Sequence, residues 1–335
     1  MRWKLLAAVV AVGLVVGGCA LRIVASADGL VIGSAARADA LANDAQYGSL
    51  LAHEFSMLVP ENELKWDTTE PQRGIYNFAP ADQLVAFANS HKMQVRGTPL
   101  VWYLQNPSWL TTGSWTADTL GSVLDNHITN VVGHFVGVAK QWDVVNEAFN
   151  DDGTTRSSLW SQTLGTGYID RAFQDAHAAD PDAKLFYNDY NLEWSNPKAD
   201  AVYSMVASMK QRGVPIDGVG FQMHALAGFP TGADLQQQFA RYAAIGVDVA
   251  ITEMDVRIPV PTTSADLDAQ AKTYHDAVAA CVASSNCHTV LVWGFTDKYS
   301  WIPTFFPGYG AADLYDANFA PKLARTAVEN ALKHD

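Results

Sequence analysis

Cysteine is scarce in this sequence, with three in 335 residues. Cys19 lies in an N-terminal targeting stretch, which leaves Cys281 and Cys287 as a pair. In an oxidising compartment that pair forms a disulfide; otherwise it is two buried thiols. No run of Lys or Arg exists outside the N-terminus and the net charge is −13, so the electrostatic footprint of a nucleic-acid binder is missing. No G-x-G-x-x-G follows the first strand-like run and no phosphate-binding loop occurs, so a nucleotide site has no support. The nine histidines lack zinc-type spacing, and no cofactor motif is present, so neither a metal nor a cofactor is expected. Linkers, low-complexity tracts and internal repeats are also missing. One domain is therefore expected, and α/β barrels commonly reach this length as a single unit.

The N-terminus has the pattern of an export signal. Arg2 and Lys4 precede an apolar run over 5–16, long enough for a signal core and too short to span a bilayer. Two processing sites compete within a leader covering 1–27. Cleavage after Ala27 would use Ala25-Ser26-Ala27. Cleavage before Cys19 would use Val16-Gly17-Gly18-Cys19, which is similar to a lipoprotein box. An uncleaved anchor is a third reading. The expectation is a secreted protein whose only membrane attachment would run through a lipidated Cys19, with a catalytic domain over 30–335.

Through that domain, short apolar runs alternate with amphipathic stretches of helical length. The apolar runs cover 30–33, 55–59, 95–102, 141–146, 184–187, 218–223, 247–252 and 289–294. Helical patterns between them cover 81–90, 120–138, 169–179, 200–212, 235–245, 264–283 and 321–333. Strand and helix in alternation imply a parallel sheet, and eight repeats imply a single α/β (β/α)8 TIM barrel; an open doubly wound sheet is the alternative. In a barrel, the residues just after each strand build the site. Here those positions hold Glu61, Asn62, Lys65 and Trp66, then Trp102, Gln105 and Trp109. Later exits carry Asn146-Glu147, Asn188-Asp189, Gln222-Met223-His224, Glu253-Met254-Asp255, and Trp293 with Asp297, Lys298 and Trp301. Carboxylates, amides and indoles gathered at seven exits suit a sugar cleft.

Two of these exits share one design. The apolar run ending Trp142-Asp143-Val144-Val145-Asn146 delivers Glu147, and the run over 247–252 delivers Glu253. Glycoside hydrolysis needs such a pair, one carboxyl to give a proton and another to act as nucleophile or base.

Taken in order, these motifs resemble the glycoside hydrolase family 10 endo-β-1,4-xylanases. The likeness is carried by Pro60-Glu61-Asn62-Glu63-Leu64-Lys65-Trp66, by Trp142-Asp143-Val144-Val145-Asn146-Glu147 and by Gln222-Met223-His224. Ile251-Thr252-Glu253-Met254-Asp255 and the stretch from Val292 through Trp301 complete it. The resemblance implies a retaining mechanism with Glu147 as acid/base and Glu253 as nucleophile. Asn146 would bond the 2-hydroxyl of the sugar under attack, and His224, fixed by Asp255, would orient the nucleophile. Glu61, Asn62, Lys65, Gln105 and Trp102 would bind sugars with Gln222 beside them, and Trp293 and Trp301 would wall the site. The family also carries a disulfide like Cys281–Cys287. The substrate implied is xylan or xylo-oligosaccharide, and the protein is expected to be a monomer.

The chain departs from the family at one place. Where the family has Gly-His-Thr-Leu-Val-Trp-His, this sequence reads Gly97-Thr98-Pro99-Leu100-Val101-Trp102-Tyr103. Both histidines are replaced, and Pro99 removes a backbone donor, so weaker binding of the sugar being cleaved and a distorted third strand are expected. A β-1,4-glucanase of a related barrel family and a catalytically weak xylan-binding protein are the alternative readings.

Overall fold

The computed structural model describes residues 18–335. The apolar run over 5–16, expected to be an export signal, lies outside the described residues. Eight strands run parallel: β1 (Val31–Ala36), β2 (Met57–Pro60), β3 (Gln94–Gly97), β4 (Ala139–Asn146), β5 (Lys184–Asp189), β6 (Gly218–Phe221), β8 (Asp248–Pro259) and β9 (Cys287–Val292). Each pairs with the next, and β9 pairs back onto β1 through Val31–Ser34, which closes the barrel. Two short strands extend it at the carboxyl end. β7 (His224–Leu226) pairs parallel to β8, and β10 (Tyr309–Gly310) pairs antiparallel to it. Helices link the strands, as the alternation of patterns requires.

The strands are apolar because both their faces are covered. All four residues of β2 and of β6 are buried. Trp142 of β4 is fully buried over Gly97 of β3, where a Cβ would collide with its ring. Arg96 and Asp143 form a buried pair, with Nε to Oδ2 at 3.1 Å. Strand β3 is short for a physical reason. Its ladder with β4 stops after Gly97 and resumes when the Leu100 and Val101 amides donate to the Asp143 and Val144 carbonyls at 2.9 and 3.0 Å. The gap falls on Thr98-Pro99, as a residue without an N–H dictates.

Packing also reaches back before residue 30. A helix over Leu21–Ser26 places Leu21 and Ala25 at zero exposure. The Leu21 amide donates to Glu54 Oε2 at 2.9 Å, and the buried Arg325 guanidinium bonds the same carboxylate at 3.1 Å. Arg325 also donates to the Cys19 carbonyl, while the Cys19 side chain is free and exposed. Cys281 and Cys287 are joined in a disulfide with Cα atoms 5.1 Å apart, at the head of β9.

Candidate active site

The carboxyl ends of β4, β5 and β6 and the middle of β8 converge on one polar cluster. Glu147 follows β4 with a φ of 56°, in the left-handed region that non-glycine residues seldom adopt. Adjacent strand residues normally point to opposite faces. The left-handed turn lets Asn146 and Glu147 face the same cavity, where Asn146 Nδ2 donates to Glu147 Oε1 at 3.2 Å. Gln222 Nε2 donates to the same oxygen at 3.0 Å and to Asn146 Oδ1 at 3.2 Å. Met223, next in the chain, is again left-handed, with φ 61°. Local strain of this kind is held by the surrounding structure and collects at functional sites.

Glu253 lies on β8 and accepts from two sides. Asn188 Nδ2 donates to Oε1 at 2.7 Å, and His224 Nε2 lies 3.1 Å from Oε2. Asn188 also donates to Asn146 Oδ1 at 2.8 Å and accepts the Thr252 hydroxyl at 2.7 Å. A chain of amides thus joins the Glu147 side to the Glu253 side. The other ring nitrogen of His224 lies 2.8 Å from Asp255 Oδ2, which also takes the Trp301 indole N–H at 2.8 Å.

The electrostatics separate the two glutamates. Burial pushes the Glu147 carboxyl up, opposed by the Gln222 hydrogen bond and reinforced by the charge of Glu253. His224 is largely buried too, which disfavours the imidazolium. The Asp255 and Glu253 carboxylates outweigh that cost and push its pKa up to about 10. Around neutral pH an imidazolium therefore faces Glu253, while burial favours Glu147 as the acid.

A second group lies beside this pair, at the ends of β2, β3 and β9. Lys65 Nζ donates to Asn62 Oδ1 at 2.9 Å, and Asn62 Nδ2 to Glu61 Oε1 at 3.2 Å. Gln105 Nε2 reaches Asn62 Oδ1 at 3.5 Å. The Lys65 ammonium stands 5.3 Å from the Trp102 ring and 5.9 Å from the Trp293 ring. Burial lowers the Lys65 pKa, and the charges of Glu253 and Glu61 act against it. Polar groups flanked by indole faces bind sugars by hydrogen bonds on one edge and apolar contact on the other.

The glutamates, Asn146, Gln222, His224 and Asp255 thus fall in this mouth, with Glu61, Asn62, Lys65, Gln105, Trp102, Trp293 and Trp301 on its wall. Trp66 does not: it is 3% exposed, stacked 3.6 Å over His127 with its N–H on Glu70. Asn188 belongs to the site and had no sequence signal beyond its place at a strand exit. Arg156 was also missed; its Nε donates to the Glu147 carbonyl at 2.8 Å and its guanidinium stacks 4.4 Å over Tyr103.

A closed (β/α)8 barrel with two buried glutamates on separate strands, one held acidic and the other faced by an imidazolium, defines a glycoside hydrolase. The chain belongs to glycosyl hydrolase family 10, whose model matches residues 20–331. It is 46% identical over 274 residues to endo-1,4-beta-xylanase C of Phanerodontia chrysosporium, covering 82% of this chain and 69% of that protein. It is 42% identical over 316 residues to endo-1,4-beta-xylanase B of Thermotoga neapolitana, covering 93% and 91%. Among solved structures it is similar to xylanase 10B of Thermotoga maritima, with a TM-score of 0.92, 43% identity and coverage of 94% and 98%. Xylanase 10B of Thermotoga petrophila RKU-1 in complex with xylobiose gives 0.93, 42%, 95% and 98%.

Proposed function

We propose that this enzyme is an endo-acting, retaining β-1,4-xylanase in which Glu147 is the acid/base and Glu253 the nucleophile. The observation that carries the assignment is the His224 imidazole lying between Glu253 and Asp255. In the first step, Glu253 attacks the anomeric carbon as Glu147 protonates the leaving glycosidic oxygen, giving a glycosyl-enzyme. In the second, Glu147 takes a proton from water as that water displaces Glu253. Asn146 bonds the 2-hydroxyl of the sugar under attack, and Asn188 and His224 hold the nucleophile. Glu61, Asn62, Lys65 and Gln105, with Trp102, Trp293 and Trp301, bind the sugars beyond it. Relatives and a structural neighbour named as xylanases, one of them holding xylobiose, support xylan or xylo-oligosaccharide as the substrate.

The enzyme is exported, in this reading as a monomer. Processing before Cys19 is favoured over cleavage after Ala27, because the helix Leu21–Ser26 carries buried side chains into the core. The catalytic domain then starts near residue 20, where the family match begins. Cys19, exposed at the end of that helix, would carry the lipid. A cellulose-directed glucanase keeps the same carboxylates. Reducing-sugar release from xylan, beside a soluble cellulose derivative, tests the choice. Release from xylan alone is expected, and release from cellulose alone would overturn the substrate.

A further inference from the structure

Strand β8 does not stop at the nucleophile. It runs on to Pro259 because β7 and β10 pair with its outer half. Side chains alternate along a strand, so Glu253, Asp255 and Arg257 share one face. At about 3.3 Å per residue, the Arg257 backbone lies roughly 13 Å beyond that of Glu253. The Arg257 side chain lines a cleft of about 200 Å³ whose wall includes His224, Leu226, Phe229 and Trp194. Leu226 and Phe229 are 42% and 44% exposed, and Trp194 packs edge-on to Phe229 at 4.8 Å. The cleft opens off the β5–β8 side of the mouth, away from Glu61, Asn62 and Lys65 at the end of β2.

The state of the guanidinium is what marks this cleft. Nη1 donates to the carbonyls of His224 and Ala225 at 3.1 and 3.5 Å, and the Phe306 ring covers one face at 4.2 Å. No described carboxylate pairs with it, in a chain with 35 acidic residues against 22 Lys and Arg. Nε and Nη2 have no acceptor among the described residues, which leaves one edge of the fork unused. Glu193 also lines the cleft, but its Oε1 takes the Met223 amide at 2.8 Å and burial pushes its pKa up. A half-buried, anchored and unpaired guanidinium beside exposed apolar rings matches a carboxylate carried on a sugar ring, because the fork takes both oxygens while the rings cover the apolar face.

We propose that this cleft binds the uronic-acid substituents of an acidic xylan, with Arg257 holding their carboxylate, so that decorated chains are preferred on this side of the cleavage point. The inference rests on the xylanase reading above and adds the substrate class. The test is the ratio of kcat/KM on a glucuronic-acid-bearing xylan to that on the same xylan after its carboxyls are reduced to alcohols. The ratio is measured for the full enzyme, for Arg257→Gln and for Arg257→Lys. The unmodified enzyme should favour the acidic xylan about five- to tenfold at low salt, as expected for a charge-assisted bond weakened by partial exposure. Arg257→Gln should bring the ratio to about one, and Arg257→Lys should restore part of it. Using a ratio cancels any general loss through the His224 carbonyl. A ratio near one in the unmodified enzyme, or one unchanged in Arg257→Gln, would overturn the inference while leaving the xylanase reading intact. Failure to cleave either xylan would overturn both.

Discussion

Nε2 of His224 lies 3.1 Å from Oε2 of Glu253, with Asp255 on the opposite ring nitrogen at 2.8 Å. That contact makes the imidazole a fixed cation. Its pKa rises from an ordinary 6.5 to about 10, so its contribution to stability is fully present below pH 6.5 and is lost as the pH climbs through 10. In urea unfolding between pH 6 and 10.5, the unmodified enzyme should lose a few kcal/mol more than His224→Gln. Parallel curves for the two proteins would show that the imidazole is neutral.

Glu147 carries the opposite assignment. Burial holds it up as an acid, so kcat/KM should fall as the pH rises through its pKa. Glu147→Gln should remove that alkaline limb. It should cost about 10²–10⁴ on xylan and far less in the first step on an aryl xyloside whose leaving group needs no proton. Equal losses on both substrates would assign Glu147 a role other than proton donation.

Thr98 replaces a family histidine and is buried at the break in β3. If a sugar hydroxyl goes unpaired there, Thr98→His should raise kcat/KM on short xylo-oligosaccharides by more than about twofold, mainly through KM. A change smaller than that would mean that Tyr103, stacked under Arg156, already supplies the contact.

The N-terminal helix gives a prediction about the mature chain. A protein beginning at Ala20 keeps Leu21 and Ala25 in the core, while one beginning at Asp28 loses both and strips the Leu21 amide from Glu54. Burying the Leu side chain alone is worth about 2–3 kcal/mol. The shorter protein should melt several degrees lower; equal melting temperatures would return cleavage after Ala27 to contention.

The barrel was legible because eight apolar runs are interleaved with seven helical patterns, and Pro99 announced the break in β3. The pair of glutamates was legible because each follows an apolar run. Other features depended on contacts that sequence does not display. The 247–252 run gave only the inner half of β8, since its extension is fixed by pairing with β7 and β10. The helices Ala38–Asn43 and Ala45–Glu54, between β1 and β2, were not anticipated, and the place of Leu21–Ser26 was left open, since processing before Cys19 would keep it and cleavage after Ala27 would remove it. Asn188 stood in plain view at a strand exit. Only the fold shows that its amide bonds both Asn146 and Glu253.

The central claim is that Glu253 attacks the sugar. A xylobioside with fluorine at C2 and a good leaving group tests it, because fluorine slows both steps by disfavouring the oxocarbenium-like transition state while the leaving group rescues the first. The glycosyl-enzyme then accumulates, and peptide mass spectrometry locates it. The account predicts one added xylobiosyl unit on the peptide containing Glu253, and none in Glu253→Ala. An adduct on Glu147, or on any other residue, would contradict it.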